Sequence, residues 1–211
     1  FKKSAMEKEM SELNLLYERQ RQQYQVARQN VQIINRKCHE LKVQIADLRR
    51  LQPDEATTRS LDEAEQAARM YDANAATGNE VLDVVLTEKS LLCEAQRIRL
   101  NCVADGTCLA AIEPGDLYAL FSNLLDQAID AAAQQQNDRR MIDLLVCRRQ
   151  GFAVINVIGP ALSGNQSDHG RRHSYELKVA RRVVQKYSGT MATEPRGELF
   201  AVKIVMPLTR G

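Results

Sequence analysis

One histidine with a carboxylate beside it is the residue pair in this chain best suited to chemistry. His39 and Glu40 are neighbours in a stretch that contains no proline or glycine before Pro53. A neutral imidazole is a nucleophile, and an adjacent carboxylate can orient the ring and accept its other proton. The residue types alone favour a surface histidine and a solvated charge on a polar helix face. The interpretation therefore depends on the element that carries the pair.

That element is predicted to be a long helix that needs a partner. Apolar residues recur at spacings that alternate regularly between three and four, and only Gln20 in this series is polar. Such a heptad seam is typical of a coiled coil, and one helix cannot bury its own stripe. His39 follows a seam residue, which places it on the flank of the bundle. The seam consists of Met10, Leu13, Tyr17, Gln20, Tyr24, Ala27, Val31, Ile34, Cys38, Leu41, Ile45 and Leu48.

A second helix is predicted from Asp54 to Glu94, after a break at Pro53 that suits a helix start. Gly78 loosens this second pattern midway. A long helix, a short turn and a second amphipathic helix form an antiparallel hairpin, and two hairpins form a four-helix dimer. We therefore expect residues 1–95 to be a dimerising helical hairpin.

In the second half of the chain, the spacing of apolar residues changes to the pattern of short strands and helices. The strands and the segregated helices predict an α+β fold, a two-layer α/β sandwich in which helices cover one face of a mixed sheet. Residues 159–173, rich in Gly, Ser, Asn, Asp and basic residues, are predicted to form a loop. The predicted strands are 98–103, 141–147, 152–157, 190–193 and 199–206, and the predicted helices are 114–135 and 175–187.

The composition excludes several classes of protein. The 211 residues carry a net charge of +2, too near neutral for a dedicated nucleic-acid binder. No apolar run approaches the ~20 residues that span a bilayer, and no signal-peptide pattern opens the chain. Five cysteines, an odd number without metal-type spacing, favour reduced cytosolic thiols over a disulfide framework.

The start of the chain is locally basic. Residues 1–50 carry 11 Lys or Arg against 6 Asp or Glu. This surplus fits a solvated helix face, and it also fits a segment just inside a membrane, where the anionic leaflet favours positive charge. The chain begins at Phe1 within a predicted helix, so we expect it to be a fragment of a longer protein.

Four stretches, in the same order along the chain, resemble sensor histidine kinases. Residues 37–45, Lys-Cys-His-Glu-Leu-Lys-Val-Gln-Ile, resemble the phosphoacceptor motif, most closely that of the peptide-pheromone quorum-sensing group, whose usual form is Cys-His-Asp-Leu-Lys-His-Gln-Ile. Residues 77–89 resemble the second helix of the family's hairpin, residues 121–132 its N box, and residues 178–191 its last helix and strand. The ordered parts make the resemblance more specific than any single motif.

This resemblance implies a dimerisation and histidine-phosphotransfer hairpin over residues 1–95. It implies a GHKL-type (Bergerat) ATP-binding catalytic domain over residues 96–211. In the family, ATP with Mg²⁺ supplies a γ-phosphoryl group to the histidine, which passes it to an aspartate of a response regulator. The expected partners are thus a second copy of the chain and a response regulator, without nucleic acid. A membrane sensor domain is expected upstream of residue 1, which makes this chain the cytoplasmic portion of a membrane-anchored receptor.

The resemblance assigns roles within the helical segment. His39 becomes the phosphoacceptor, and Glu40 the carboxylate that orients it and acts as general base. Val43 departs from the family, where the residue four after the histidine is often polar and helps to place water. A valine side chain makes no hydrogen bond, so phosphatase activity through this position is not expected.

The N box retains one amide and changes another. Asn123 is present, but Gln127 stands where the family has the asparagine whose oxygen binds Mg²⁺. Glutamine offers the same oxygen on a stem one methylene longer, whereas Mg²⁺ requires near-octahedral geometry at ~2.1 Å. We therefore expect weakened Mg²⁺ binding. Asn156, in the strand that ends Ile-Gly-Pro, is the candidate residue to read adenine.

The segment before the last helix, which is rich in glycine in the family, departs further from the family's sequence. The family has His-Gly-x-Gly-Leu, whose glycines let the backbone approach phosphates, and this chain has His-Ser-Tyr-Glu-Leu at residues 173–177. Ser174 could cap the helix. Glu176 brings a carboxylate near a phosphate, which costs ~1 kcal/mol in water at ~4 Å and more in a drier site. Arg171 and Arg172 could offset that repulsion as ATP-binding residues, or keep the loop soluble.

Three functions remain in competition. The first is a working kinase core that autophosphorylates on His39 in a dimer. The second is a degenerate pseudokinase of the same fold, with weak or no ATP binding, acting as a dimeric signalling scaffold. The third is a coiled-coil adaptor that uses its helices only for docking. Glu40 and Asn123 favour the first, and the departures at Gln127 and Glu176 favour the second.

Overall fold

A computed structural model describes residues 2–51, 54–72, 76–161 and 167–208. The chain begins with three helices: α1 (Lys2–Arg50), α2 (Glu55–Asp72) and α3 (Glu80–Ala95). Helix α2 folds back along the end of α1, where Arg49 pairs with Asp62 at 2.5 Å and with Glu65 at 2.7 Å. The predicted helical hairpin is thus formed by α1 and α2. None of the described helices is long and apolar enough to cross a bilayer.

The seam of α1 is buried in two different environments. Its N-terminal half packs into the main core of the C-terminal half of the chain, through Tyr17, Tyr24, Ala27 and Val31. Its C-terminal half lies in the hairpin, where Cys38 and Ile45 of α1 and Leu61 and Ala68 of α2 are buried. The same heptad pattern therefore serves the contact of α1 with the C-terminal half of the chain as well as its contact with α2 in the hairpin.

The second predicted helix, 54–94, is wrong as a single element. Gly78 has φ +82°, a left-handed conformation that glycine adopts readily. Asn79 follows as the N-cap of α3, and its side-chain oxygen accepts from the backbone N–H of Val81 and Leu82 at 3.1 and 3.2 Å. A helix cannot continue through this pair. The new helix α3 packs on the C-terminal half of the chain as well as on α1.

The C-terminal half forms two layers. Helices α4 (Pro114–Ala133) and α5 (Ser167–Lys186) cover a mixed sheet of β1 (Arg99–Ala104), β2 (Met141–Arg149), β3 (Phe152–Pro160), β4 (Thr190–Arg196) and β5 (Leu199–Pro207). The strand order is β1-β2-β3-β5-β4, with β1 and β2 parallel and the other neighbours antiparallel. The predicted fold class, a helical hairpin followed by a two-layer α+β sandwich, is confirmed.

Alternation along the strands divides the sheet into a covered and an open face. Ile142, Leu144 and Val146 of β2 lie on the same face as Ile155 and Val157 of β3, and all five are buried. A Cβ placed on Gly159 of β3 would stand 3.7 Å from Ala128 of α4, which identifies this as the face beneath the helices.

The loop predicted at 159–173 is shorter than expected. Strand β3 extends to Pro160, and α5 begins at Ser167, eight residues before the predicted start at Tyr175. Ser and Asp, which open this segment, favour the first turn of a helix as much as a loop, and arginine is a good helix former. The polar composition therefore did not distinguish the two.

We expect Asn79→Ala to lower the free energy of unfolding by about 1 kcal/mol, because two N–H groups at the start of α3 lose their acceptor. Urea unfolding followed by circular dichroism measures this. Asn79→Asp keeps a capping oxygen and should stay close to the native value. Equal losses in both variants would contradict the capping role.

Candidate functional site

The histidine–glutamate pair lies on the open flank of α1. His39 is exposed directly after buried Cys38, as predicted from the seam. Glu40 accepts hydrogen bonds from Lys37 Nζ at 2.7 Å and from Arg36 Nε at 3.1 Å. The hydrogen bond and charge of Lys37 lower the pKa of the Glu40 carboxyl, so this group is a carboxylate. Within the described residues no hydrogen bond joins it to His39. Val43, one turn further, is 49% exposed.

The N-box amide Asn123 faces α1 and is 2% exposed. Its Nδ2 donates to the carbonyl of Ala119 at 2.5 Å and also to Gln20 Oε1 of α1. Gln20 Nε2 donates in return to Asn123 Oδ1 at 3.2 Å. The two amides thus form a reciprocal pair that joins α1 to α4, and both polar atoms of Asn123 are engaged by protein groups.

The candidate magnesium ligand lies one helical turn beyond. Gln127 is 7% exposed, and among the described residues its side-chain amide has no hydrogen-bond partner. Leaving a buried amide unpaired is costly, so such a group normally meets a polar partner. The amide oxygen of Gln127, which has no partner among the described residues, is the kind of donor atom that Mg²⁺ takes.

The adenine candidate lies elsewhere. Asn156 of β3 pairs with Leu145 of β2 and with Lys203 of β5, on the face of the sheet turned away from the helices. Its neighbour Val157 occupies the covered face. The structure therefore brings Asn123 and Gln127 together on α4 and does not bring Asn156 to them.

Three further predicted residues fall where only the backbone is described. Arg171, Arg172 and Ser174 lie within helix α5, and their side chains lie outside the described part of the chain, as does that of Glu176. Their predicted roles toward nucleotide phosphates stay predictions.

A buried carboxylate ties three helices together. Asp116 of α4 is fully buried and accepts hydrogen bonds from Lys186 Nζ at 2.6 Å, from the Tyr187 hydroxyl at 2.8 Å and from the Tyr17 hydroxyl of α1. Arg21 Nε of α1 lies 3.6 Å from it. Burial raises the pKa of Asp116, but the hydrogen bonds outweigh burial and leave that pKa below its usual range. Burial and the bond to Asp116 raise the pKa of Tyr17 to about 12.

Sequence reasoning missed this cluster. The available signal was the presence of Tyr17 and Tyr24 in a seam that is otherwise mostly aliphatic, because a buried phenol normally needs a polar partner. Tyr24 meets the ring of Tyr118 with centroids 5.7 Å apart. Nothing in the sequence indicated that the partner of Tyr17 would be Asp116, 99 residues away along the chain.

A groove of about 990 Å³ lies between α1, α3 and α4. Its charged wall is formed by Lys89, which is 5% exposed and pairs with Asp126 at 2.8 Å and with Glu88 at 3.4 Å. Burial lowers the pKa of Lys89, but the two carboxylates outweigh it and raise that pKa. Tyr118 donates to Glu88 at 2.9 Å. These bonds dock α3 onto α4, and Asn123 lies at the groove as well.

Part of the C-terminal half of the chain is similar to a known family. Residues 112–207 match the sequence model of the family described as GHKL domain. This segment runs from just before α4 to the end of β5. The chain is therefore a helical hairpin followed by a two-layer sandwich, and most of the sandwich matches the GHKL domain model. A search among curated protein sequences finds no match.

Solved structures of histidine kinases are similar to the chain. The catalytic domain of histidine kinase ThkA is 16% identical with a TM-score of 0.49, covering 63% of this chain and 93% of that one. Acinetobacter baumannii histidine kinase AdeS is 15% identical with a TM-score of 0.46, covering 81% and 98%. The histidine kinase domain of the Erythrobacter litoralis EL346 blue-light activated histidine kinase is 15% identical with a TM-score of 0.41, covering 85% and 94%.

We expect Tyr17→Phe to lower the free energy of unfolding at neutral pH by about 1–3 kcal/mol, because Asp116 loses one donor. The pH dependence gives a second test. The pKa of Tyr17 is raised from 10 to about 12, so its contribution to stability is complete below pH 10 and is lost as the pH rises to 12. Tyr17→Phe should flatten the fall in unfolding free energy over this interval, measured by urea unfolding. An unchanged slope would contradict the bond to Asp116.

Proposed function

We propose that this chain is the cytoplasmic core of a two-component sensor histidine kinase that autophosphorylates on His39 with ATP and Mg²⁺. One observation carries the proposal: an exposed histidine, followed by a carboxylate, lies on a long helix that packs directly onto a GHKL-type domain. Transfer from His39 to an aspartate of a response regulator follows as the second step. The resemblance of residues 37–45 supports the peptide-pheromone quorum-sensing type.

The proposed reaction needs two groups of the chain, a nucleophilic ring nitrogen and a proton acceptor. ATP, when bound, supplies the γ-phosphoryl group: a ring nitrogen of His39 forms a bond to phosphorus, the bond to the bridging oxygen breaks, and ADP leaves. Attack through one ring nitrogen would make the ring cationic, and Glu40 would then accept the proton from the other ring nitrogen, which leaves a neutral phosphorylated imidazole. Its ionised state suits this role, and its present partners Lys37 and Arg36 must yield to the ring.

The nucleotide would be held on α4. Gln127 offers Mg²⁺ an amide oxygen that has no partner among the described residues, and Asn123 lies one turn earlier on the same helix. Arg171, Arg172 and Ser174 of α5 are proposed to contact the phosphates, and Asn156 is retained as an adenine candidate only if the base reaches the open face of the sheet. The bound cofactors are therefore proposed to be ATP and Mg²⁺.

A homodimer through residues 1–95 completes the proposal. Within the described chain, α2 leaves several apolar side chains of α1 uncovered, and Ile33, Leu41 and Leu48 are each about half exposed. Burying such a stripe needs a second helix, which a second copy of the hairpin provides. The basic surplus of residues 1–50 supports a position next to an anionic membrane surface, with a membrane sensor domain upstream.

A second candidate function is a pseudokinase scaffold, favoured by the placement of Asn156 on the open face and by the longer arm at Gln127. Thermal unfolding with and without Mg-ATP separates the two functions. A kinase core should gain about 2.7 kcal/mol of stability at a ligand concentration of one hundred times Kd. No stabilisation at millimolar Mg-ATP would favour the scaffold.

Incubation with γ-labelled ATP and Mg²⁺ should place acid-labile, base-stable phosphate on the wild-type chain. His39→Gln should abolish this signal, since the amide is not a phosphoryl acceptor. Gln32→Ala, at an exposed residue of the same helix without an assigned role, is the matched control and should retain the label. Label that survives His39→Gln would refute the phosphoacceptor assignment.

A further inference from the structure

The N-terminal half of α1 lies over the helix that carries the candidate nucleotide ligands. Tyr17, Tyr24, Ala27 and Val31 of α1 belong to the same buried core as α4. Because α1 covers this face, Asn123 is 2% exposed. While α1 stays in place, Gln20 and the carbonyl of Ala119 engage both polar atoms of that amide, so a phosphate or a metal ion must compete with them.

The seam residue at the centre of this contact is the polar one. Gln20 interrupts a heptad series that is otherwise apolar, and it is the residue that meets Asn123, with a hydrogen bond in each direction. A leucine at this position would leave the Asn123 amide buried against hydrocarbon, which is costly. Gln20, the polar residue of the seam, therefore lies against the polar side chain of Asn123, which it covers.

Part of the remaining contact is polar. Tyr17 donates to Asp116, Arg21 lies 3.3 Å from Glu113, and Arg28 lies 2.8 Å from Glu80. The two arginine pairs are partly exposed, and exposed ion pairs contribute little net stability. These polar groups can exchange their partners for water when α1 moves, whereas the buried side chains Tyr24, Ala27 and Val31 need another apolar surface.

The position of His39 also requires this contact to change. Nineteen residues separate Gln20 from His39, which is about 28 Å along a helix at 1.5 Å per residue. While Gln20 is paired with Asn123, His39 of the same chain is held far from the ligands on α4.

From these observations we propose that α1 is an autoinhibitory cover, with Gln20 as the group that occupies Asn123 until the helix is displaced. The inference rests on the proposed function, because it treats Asn123 as a nucleotide-site residue. The covered state binds no nucleotide at this amide, and the uncovered state does. Any signal that rotates or shifts α1 then controls access to ATP.

The test is calorimetric titration of Mg²⁺ and a non-hydrolysable ATP analogue into the 211-residue chain and its variants. Gln20→Ala removes the partner of a buried amide, at about 1–3 kcal/mol, which shifts the balance between covered and uncovered states about 5- to 150-fold. The apparent Kd scales inversely with the population of the competent state. We therefore expect Gln20→Ala to bind at least about fivefold more tightly than wild type, and Tyr17→Phe to shift affinity in the same direction.

Gln22→Ala is the matched control, because Gln22 lies two residues further along α1 and is exposed. It should bind as wild type does. Amide hydrogen exchange gives a second readout: the analogue should speed exchange in residues 13–24 of wild type, since binding and covering exclude each other. Equal or weaker binding by Gln20→Ala, with wild type binding normally, would overturn the cover and leave the kinase proposal standing. No binding by any of the four proteins would overturn the proposed function and the cover with it.

Discussion

The charge on Asp116 is the constraint that fixes the relative positions of three helices. A carboxylate with no exposed surface is tolerated only when it is paired and hydrogen-bonded. Lys186 and Tyr187, at the end of α5, supply two donors, and Tyr17 of α1 supplies a third. Because the three donors come from both ends of the chain, α1 cannot be regarded as an appendage of the C-terminal sandwich. Its docking is part of how the start of α4 is stabilised.

The seam of α1 therefore packs against two different surfaces. Toward its C-terminal end it packs on α2, where small and aliphatic residues such as Cys38, Ile45 and Ala68 suffice. Toward its N-terminal end it must meet a surface that carries Asp116 and Asn123, and here the seam changes to Tyr17 and Gln20. The change in residue type along one heptad pattern reflects the change from a helix partner to a polar site.

Much of the fold follows from local pattern, and much of the site does not. The seam predicts α1 and the exposure of His39, and strand alternation predicts the sheet, because both depend on near neighbours. The sequence predicts one helix across Gly78 and Asn79, where the structure has two, because the apolar periodicity resumes after this pair. Which face Asn156 occupies depends on strand register, which one polar residue does not determine. The pairing of Tyr17 with Asp116, and of Gln20 with Asn123, joins positions about a hundred residues apart, and no local pattern encodes such a match.

A single chain thus has two uses for the same helix, and they compete. Covering α4 satisfies the amide of Asn123 and the carboxylate of Asp116, yet it also holds His39 at a distance from the proposed nucleotide ligands on α4. Freeing those ligands exposes Tyr17, Tyr24 and Val31, which are buried in the covered state. Uncovering therefore needs a compensating surface, and in the proposed dimer the apolar stripe of the second hairpin would provide one. Dimerisation and nucleotide access would then be linked through the burial of one seam, because each residue of α1 that leaves α4 becomes available to a helix of the other copy.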